Sequence, residues 1–319
     1  MRRALITGIA GFAGSHLAQL LHGTADIWGT HIDDNLENIE GITGVNLVQC
    51  DLLVPEQAAG AIRRARPDVI FHLAAQSAPS LSIANPAETL KNNIFSTLNL
   101  FEAAQAYSPE AVILNAGSGD AYGEVDEGLL PVKESTPFEP LNPYAVSKAV
   151  VDMMARQYFK TKGLSVIRCR PFNHIGPRQA PNFAAPAFAK QIAEIEAGIK
   201  TEKVLKAGPL DARRDFLDVR DTVAAYALLS EKGAPGEAYN ICSGKAVRIQ
   251  EILDTLIELS TEKIEVAHDP SRLRSGEAKT IYGDNAKLKA LGWTPGHELA
   301  ESLNALLDYW RKKVKATAP

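Results

Sequence analysis

A tyrosine, a lysine and a serine in the middle of the chain have the types and spacing needed for hydride-transfer chemistry. Tyr144 and Lys148 are four residues apart, so they lie on one face of a helix, and Ser118 precedes them. An ammonium near a phenol favours the phenolate and is expected to lower the pKa of Tyr144 from about 10 towards neutrality. Acid–base catalysis at a carbonyl requires such a donor. Alone, the Tyr-x-x-x-Lys pattern would indicate only a solvated helix face.

A glycine-rich turn near the start of the chain predicts a dinucleotide site. An apolar run ending at Thr7 enters the pattern Gly-x-x-Gly-x-x-Gly, and a helical pattern follows. Glycines in such a turn permit the bend, let the backbone approach a pyrophosphate and allow close helix packing, while the helix N-terminus supplies amide dipoles. The spacing differs from the commoner Gly-x-Gly-x-x-Gly. We expect the turn to bind the cofactor through Gly8, Gly11, Phe12, Ala13 and Gly14.

The rest of the chain contains the elements needed to bring these residues together. Short apolar runs alternate with helical stretches, which predicts an α/β fold with a doubly wound parallel sheet of the Rossmann type. The predicted strands are Ala4–Thr7, Asp26–Ile32, Asn46–Cys50, Val69–Leu73, Val112–Ala116 and Ser165–Arg170, and the helices include Glu56–Arg66 and Ala87–Tyr107. Ligands bind at the carboxyl ends of such strands. Four residues follow predicted strand ends on this edge: Gly8, Asp51, Ala74 and Ser118.

The second half of the chain predicts a smaller substrate-binding domain. From Phe172 onward the alternation loosens, and proline, glycine and arginine crowd the loops. We expect residues 1–171, with about 214–232 returning to them, to form the cofactor-binding domain. Residues 172–213 and about 233–319 are expected to form the nucleotide-sugar-binding domain.

The motifs, taken together, resemble the extended short-chain dehydrogenase/reductases. The resemblance rests on Thr7-Gly8-x-x-Gly11-x-x-Gly14, Phe71-His72-Leu73-Ala74-Ala75-Gln76, Asn92-Asn93 and Ser118…Tyr144-x-x-x-Lys148. These occur in the expected order and span essentially the whole chain. The superfamily acts largely on nucleotide-activated sugars, so the resemblance implies an NAD(P)-dependent oxidoreductase of that kind. It also implies cofactor contacts from Asp51, Leu52, Leu73, Ala74, Ala75, Asn93, Tyr144, Lys148 and Pro171.

The choice between NAD and NADP depends on the end of the second strand. The segment His31-Ile32-Asp33-Asp34 stands about where a residue reading the adenosine ribose is expected. A carboxylate there can accept hydrogen bonds from a ribose 2′-hydroxyl and would repel a 2′-phosphate, which favours NAD. If the strand ends at His31, however, Asp33 and Asp34 belong to a solvated loop. Because relatives often use NADP, either cofactor is possible.

Several segments of the second half closely resemble the GDP-6-deoxy-D-mannose reductases. These are 170–179, 212–221, 239–244, 292–295 and 309–311. The resemblance implies reduction of GDP-4-keto-6-deoxy-D-mannose to GDP-D-rhamnose. Tyr144 would protonate the developing alkoxide, Ser118 would steady it, and Lys148 would hold the nicotinamide ribose. One departure is Leu273-Arg274-Ser275, where reductases usually have Arg-Pro-Ser.

Two other functions are open. A GDP-mannose 4,6-dehydratase, or an enzyme with both activities, would need a further acid–base group, and Asp120 stands where that class has a glutamate. Its side chain is one methylene shorter, and misplacing a base by about 1 Å can cost roughly 10²-fold. Alternatively, Asp120 is a loop carboxylate that caps backbone amides. A more distant alternative is a non-catalytic module that senses NAD(P), although such a module would not need Ser118, Tyr144 and Lys148 together.

The diphosphate of a nucleotide sugar requires planar cationic donors, and arginine supplies them in pairs. Arg214 and Arg274 are the candidates, with Arg178 as a third, and Asn173 could bond the diphosphate or the hexose. Any one of these arginines could equally be a solvated surface charge. His174 has no evident catalytic partner and is expected to be structural.

Composition narrows the remaining possibilities. The 319 residues carry a net charge of −4, which gives no reason to expect a nucleic-acid or membrane partner. The scattered cysteines Cys50, Cys169 and Cys242 indicate reduced thiols and a cytoplasmic protein. The histidines lack metal-ligand spacing, so no metal site is expected. The apolar run after Arg2-Arg3 breaks after a few residues, which argues against a signal peptide or a membrane span.

The helix that begins near Tyr144 predicts a homodimer. Apolar residues cover almost its whole circumference, and such a helix is buried on more than one side. They are Ala145, Val146, Ala149, Val150, Val151, Met153, Met154, Ala155, Tyr158 and Phe159. Burial within one subunit would explain the pattern as well, but the family resemblance favours a bundle between two subunits.

Overall fold

A seven-stranded parallel sheet forms the centre of the protein, in a computed structural model that describes residues 1–270 and 278–317. The strands of all the described residues, in chain order, are β1 (Arg3–Thr7), β2 (Asp26–His31), β3 (Val45–Gln49), β4 (Val69–His72), β5 (Val112–Ala116), β6 (Val166–Pro171), β7 (Asn173–Ile175), β8 (Val204–Ala207), β9 (Arg213–Arg214), β10 (Phe216–Asp218), β11 (Ala238–Ile241), β12 (Val247–Arg248), β13 (Glu265–His268) and β14 (Thr280–Ile281). The large sheet has the order β11-β6-β5-β4-β1-β2-β3. This is the doubly wound order expected from the sequence, with its crossover beside β1.

Helices cover both faces of this sheet. The helices of the described residues are α1 (Phe12–Leu21), α2 (Pro55–Ala65), α3 (Pro79–Ala84), α4 (Pro86–Tyr107), α5 (Pro143–Lys162), α6 (Ala184–Glu196), α7 (Val219–Lys232), α8 (Ile249–Glu258), α9 (Ala286–Lys289) and α10 (Leu299–Thr317). Helices α1 and α7 pack on one face, and α2, α4 and α5 on the other. Alternate residues of each strand serve the two cores: Leu5 and Ile70 face α2 and α4, whereas Ile6 and Phe71 face α1. Burial on both faces explains why the strands are almost continuously apolar.

A second, smaller unit lies beyond the sheet. Its core is formed by α6, α8 and α10 around β8, with Ile192, Leu253 and Leu306 fully buried. The segment 214–232 supplies β10 and then α7, which packs against α1 on the large sheet. Strand β11 also joins the large sheet, beside β6, although it lies in the segment 233–319 that the sequence assigns to the second domain. The other domain boundaries stay a prediction.

No helix within residues 1–270 and 278–317 is long and apolar enough to cross a bilayer. The longest, α4, carries Glu88, Lys91 and Glu102 along its length.

Candidate active site

Helix α5 carries Tyr144 and Lys148 at the carboxyl edge of the sheet. Asn142 caps the helix by accepting a hydrogen bond from the amide of Ala145 at 2.9 Å, and Pro143 occupies the first turn, where no amide donor is needed. The helix therefore begins one residue before Tyr144. Both Tyr144 and Lys148 are buried, although each is a polar residue on a helix surface.

Ser118 reaches the same place from β5. Its hydroxyl accepts a hydrogen bond from the amide of Asp120 at 3.1 Å and so caps a short 3₁₀ turn, Gly119–Tyr122. A side chain at Gly119 would come within 2.9 Å of the Phe172 ring, so this turn packs closely on the chain after β6. Ser118 lies near enough to Tyr144 for its hydroxyl to lower the pKa of the phenol. The structure thus brings together two groups that are distant in sequence.

The electrostatics of the phenol differ from the expectation. Burial raises the pKa of Tyr144 above its usual value, the nearby Asp120 carboxylate raises it further, and the hydrogen bond from Ser118 lowers it. The Lys148 Nζ lies 5.9 Å from the centre of the Tyr144 ring and donates to the carbonyl of Ala116 at 2.8 Å. The expectation that the pKa of Tyr144 is lowered is therefore wrong, because burial of the phenol raises it. Burial also lowers the pKa of Lys148 to about 8.

The glycine-rich turn is shaped for close backbone approach. Gly8 has φ +69°, and a Cβ there would lie 3.0 Å from the Cα of Ala74. A Cβ at Gly14 would lie 2.3 Å from the carbonyl oxygen of Gly8, which the amide of Gly11 already binds at 2.9 Å. Helix α1 then begins at Phe12, and no side chain caps its first amides. A side chain at Gly8 or Gly14 would close this turn, so the residues present fit the pyrophosphate of a dinucleotide.

A chain of hydrogen bonds fixes the turn to α4. The Thr7 hydroxyl accepts from the amides of Leu73 and Ala74, both at 3.1 Å, so its own proton goes to Nδ1 of His72, 2.9 Å away. His72 is therefore a neutral imidazole protonated on Nε2, which lies 3.0 Å from the hydroxyl of Thr97. Burial and the charge of Lys148 lower the pKa of His72 to about 3. Sequence reasoning missed this role, which a lone histidine ending a buried strand could have suggested.

Asn93 links the same region to helix α5. Its side-chain oxygen accepts from the amide of Gln76 at 2.8 Å, and its amide group donates to the Gln76 carbonyl and to the hydroxyl of Ser147. Ser147 in turn donates to the carbonyl of Tyr144 at 2.7 Å. Asn93 is buried and fully engaged with protein atoms, so a direct cofactor contact stays a prediction.

The other predicted cofactor residues lie around this edge. β2 ends at His31, which leaves Asp33 and Asp34 exposed, and Asp33 accepts from the amide of Asn35 at 3.1 Å. Asp51 follows β3 and accepts from the amide of Leu53 at 2.9 Å. Leu52 and Pro171 are buried, and Ala75 stands next to Ala74 in the loop after β4. Asp51, Leu52 and Ala75 follow strand ends, whereas Pro171 is the last residue of β6, and their contacts with a cofactor stay a prediction.

The predicted substrate residues are more dispersed. Asn173 begins β7, close in sequence to the Phe172 that supports the Ser118 turn. Arg214, in β9, is buried, and its Nη1 donates to the carbonyls of Arg213 and Lys279. Arg178 instead contacts α1, where its Nη2 donates to Gln19 Oε1 at 3.0 Å. Arg274 lies outside the described residues.

Three aspartates in the segment 212–221 have structural partners that the sequence did not reveal. Asp215 accepts from the amides of Ser243 and Gly244 at 2.7 and 2.9 Å. Asp218 caps α7 through the amide of Arg220 at 2.7 Å and binds a serine of α10. Asp221 accepts hydrogen bonds from backbone amides of the turn before α10. The motif therefore ties the second unit to the sheet.

Comparison with known proteins places the chain in a family. The family model described as GDP-mannose 4,6 dehydratase matches residues 5–306. The chain belongs to this family. It is 35% identical to a GDP-6-deoxy-D-mannose reductase of Pseudomonas aeruginosa over 315 residues, which cover 98% of this chain and 99% of the relative. A GDP-mannose 4,6-dehydratase of Vibrio cholerae is 28% identical over 338 residues, covering 92% and 90% of the two chains.

Solved structures of related proteins carry the same nucleotides that the family resemblance implies. A structure of RMD from P. aeruginosa complexed with NADPH has a TM-score of 0.85 at 34% identity, covering 98% of this chain and 100% of the other. A UDP-glucose 4-epimerase of Thermus thermophilus complexed with NAD has a TM-score of 0.87 at 30% identity, covering 98% and 99%. The fold and the NAD(P)-dependent enzyme class expected from the sequence are thereby confirmed for this member of the GDP-mannose 4,6-dehydratase family.

Proposed function

We propose that the protein reduces the C4 keto group of GDP-4-keto-6-deoxy-D-mannose to give GDP-D-rhamnose. The convergence of Ser118 and Tyr144 at the carboxyl edge of the sheet carries the proposal, because it would present two donors to one oxygen. The similarity to a GDP-6-deoxy-D-mannose reductase over almost the entire chain favours this keto sugar. Free buried cysteines agree with a reaction in the cytoplasm.

The catalytic residues have the protonation states that a reduction needs. A bound NAD(P)H would supply the hydride. Tyr144, whose pKa burial raises, keeps its proton at neutral pH and can give it to the oxygen on C4. Ser118 accepts from the amide of Asp120, which leaves its own proton for the same oxygen. Lys148, whose pKa is about 8, is an ammonium at neutral pH and would bind the hydroxyls of the nicotinamide ribose.

The substrate contacts are part of the proposal. Arg214 is buried beside β14, and a buried guanidinium is a strong partner for a diphosphate. Arg274 belongs to the segment just before β14 and would serve the same diphosphate. Asn173 would bond the diphosphate or the hexose, whereas Arg178, which contacts α1, is the weaker candidate.

A dehydratase is the second candidate, and Asp120 favours it. Its carboxylate is close enough to Tyr144 to raise the pKa of the phenol, so it could act on the same hexose. An enzyme with both activities would use Asp120 first and an added reductant second. A module that only senses the NAD(P) redox state would not need Ser118 and Tyr144 to lie close together.

We also propose a homodimer formed through α4 and α5. These helices pack on each other, and their outer face leaves large apolar side chains exposed: Phe95 at 52%, Val146 at 37% and Met153 at 57%. Such a patch on a helix pair is typical of an interface. Sedimentation at micromolar concentration should give twice the mass of 34.4 kDa. Met153→Glu, which places a charge in the patch, should give the monomer, and a monomeric wild-type protein would reject the proposal.

Two incubations distinguish the proposed activities. With GDP-4-keto-6-deoxy-D-mannose and NAD(P)H, the reductase should form GDP-D-rhamnose and oxidise the cofactor in equal amounts. With GDP-mannose alone, the reductase should do nothing, whereas a dehydratase should release the 4-keto sugar without added reductant. If neither incubation gives turnover, the reductase proposal is wrong.

A further inference from the structure

A buried ion-pair network lies behind the catalytic helix. Asp152, one helical turn beyond Lys148, binds two arginines of β6. Arg168 Nη1 lies 2.7 Å from Asp152 Oδ1, and Arg170 places Nε 2.8 Å from Oδ2 and Nη2 3.0 Å from Oδ1. All three side chains are buried, and the one carboxylate pairs with both guanidinium groups.

Arg170 extends from this network to the turn that carries Ser118. Its Nη1 donates to the hydroxyl of Tyr122 at 2.8 Å. Tyr122 is the last residue of the 3₁₀ turn that Ser118 caps, and its hydroxyl donates to Asn240 Oδ1 at 2.6 Å. Arg170 therefore binds α5 with one edge of its guanidinium and the Ser118 turn with the other.

The rings around Arg170 hold its guanidinium in place. It lies 4.5 Å from the centre of the Phe138 ring and 5.3 Å from that of Tyr122, both within the range of cation–π attraction. Its Nη1 also donates to the carbonyl of Glu134 at 2.9 Å. A planar group with this many partners has a single orientation.

Arg168 binds the same carboxylate without joining the two catalytic elements. Among the residues that the structure describes, its other partner is the carbonyl of Gly236, 3.2 Å from Nε, in the loop before β11. Loss of either arginine leaves Asp152 paired with the other one. Of the two arginines, Arg170 is the one that also bonds to the Ser118 turn, through Tyr122.

We propose that Arg170 is a positioning residue that sets the relation of Ser118 to Tyr144, acting through Tyr122 and Asp152. The inference rests on the proposed function, because it concerns the two donors that would act on the keto oxygen. Those donors lie on separate elements, a turn after β5 and helix α5. A displacement of about 1 Å between such groups can cost roughly 10²-fold in rate. One guanidinium bonded to both elements limits that displacement.

Three variants test this assignment kinetically. In Arg170→Met and Tyr122→Phe, kcat should fall by about 10-fold to 10²-fold, while KM for the cofactor and the sugar nucleotide changes by less than about threefold. Arg168→Met, the matched control, should lose as much thermal stability as Arg170→Met but keep kcat within about threefold. If kcat falls in proportion to Tm in all three variants, the role is purely structural and the assignment is wrong.

A second readout needs no substrate. With carbon-13 at Cζ of tyrosine, the Tyr144 resonance can be identified by its loss in Tyr144→Phe. Arg170→Met and Tyr122→Phe should move this resonance towards its position in Ser118→Ala, whereas Arg168→Met should leave it in place. An unmoved resonance in both Arg170→Met and Tyr122→Phe would overturn the assignment. If the wild-type protein reduces no keto sugar, the proposed function fails, yet the resonance still decides the role of Arg170.

Discussion

The ammonium of Lys148 lies 5.9 Å from the centre of the Tyr144 ring and is bonded to the carbonyl of Ala116. The lysine is thus held beside the phenol by the strand that also leads to Ser118. Because burial lowers the pKa of Lys148 to about 8, the lysine loses its positive charge within the pH range over which enzyme activity is usually measured.

The activity should therefore fall on the alkaline side. Below pH 8 Lys148 is an ammonium, and above it the neutral amine no longer favours negative charge on the neighbouring oxygen. We expect kcat/KM to fall about tenfold per pH unit above about pH 8, since this parameter reports groups of the free enzyme. Lys148→Arg, which stays charged, should show no such fall in whatever activity it retains. A wild-type profile that is flat to about pH 9.5 would contradict this role.

Removal of the Tyr144 hydroxyl should separate chemistry from binding, if Tyr144 is the proton donor that we propose. Tyr144→Phe deletes the proton donor without changing the ring, so kcat should fall by about 10² to 10⁴-fold. The fluorescence of bound NAD(P)H should give a Kd within about threefold of the wild-type value. Near-full turnover in Tyr144→Phe would refute the assignment of Tyr144 as the proton donor.

Cofactor preference should respond to the loop after β2. Asp33 and Asp34 are exposed there, and their negative charges oppose a 2′-phosphate. The double variant Asp33→Asn/Asp34→Asn should raise kcat/KM for NADPH relative to NADH by about 10-fold. This ratio corresponds to a change of about 1.4 kcal/mol in the preference between the two cofactors. Glu56→Gln, which alters an exposed carboxylate on α2, should leave the ratio unchanged. An unchanged ratio in the double variant would mean that this loop does not read the ribose.

Stability should fall in acid because of His72. Its pKa is about 6.5 in the unfolded chain and about 3 in the folded protein, so between these values only the unfolded chain takes up the proton. The free energy of unfolding should therefore decrease as the pH falls from 6.5, with His72 contributing about 1.4 kcal/mol per pH unit. When the free energy of unfolding is measured with urea at several pH values, its slope against pH should be smaller by that amount in His72→Gln. His22→Gln, at an exposed position, should keep the wild-type slope against pH. Equal slopes in His72→Gln and wild type would show that His72 accepts a proton in the folded state.

Much of the fold follows from local patterns. The predicted strands and the two named helices differ from the observed ones by at most one residue at either end, because buried parallel strands are short apolar runs bounded by glycine and polar residues. The convergence of Ser118 with Tyr144 was also predictable, since the end of β5 and the start of α5 lie at the same edge of the sheet.

Other features depend on distant contacts and could not be predicted. The membership of β11 in the large sheet is decided by its pairing with β6, which no local pattern encodes. The raised pKa of Tyr144 comes from burial by the whole fold, whereas the sequence shows only the neighbouring lysine. Likewise, Arg178 lies in a matching motif, yet its guanidinium is directed to Gln19 of α1.

The central claim is that hydride passes from the nicotinamide to C4 of a keto sugar bound to GDP. The direct measurement supplies GDP-4-keto-6-deoxy-D-mannose together with NAD(P)H that carries deuterium at C4 of the nicotinamide. We expect NMR of the product to show GDP-D-rhamnose with one deuterium at C4 of the hexose. Cofactor oxidation without deuterium in the sugar, or no reaction with the keto sugar at all, would contradict the claim.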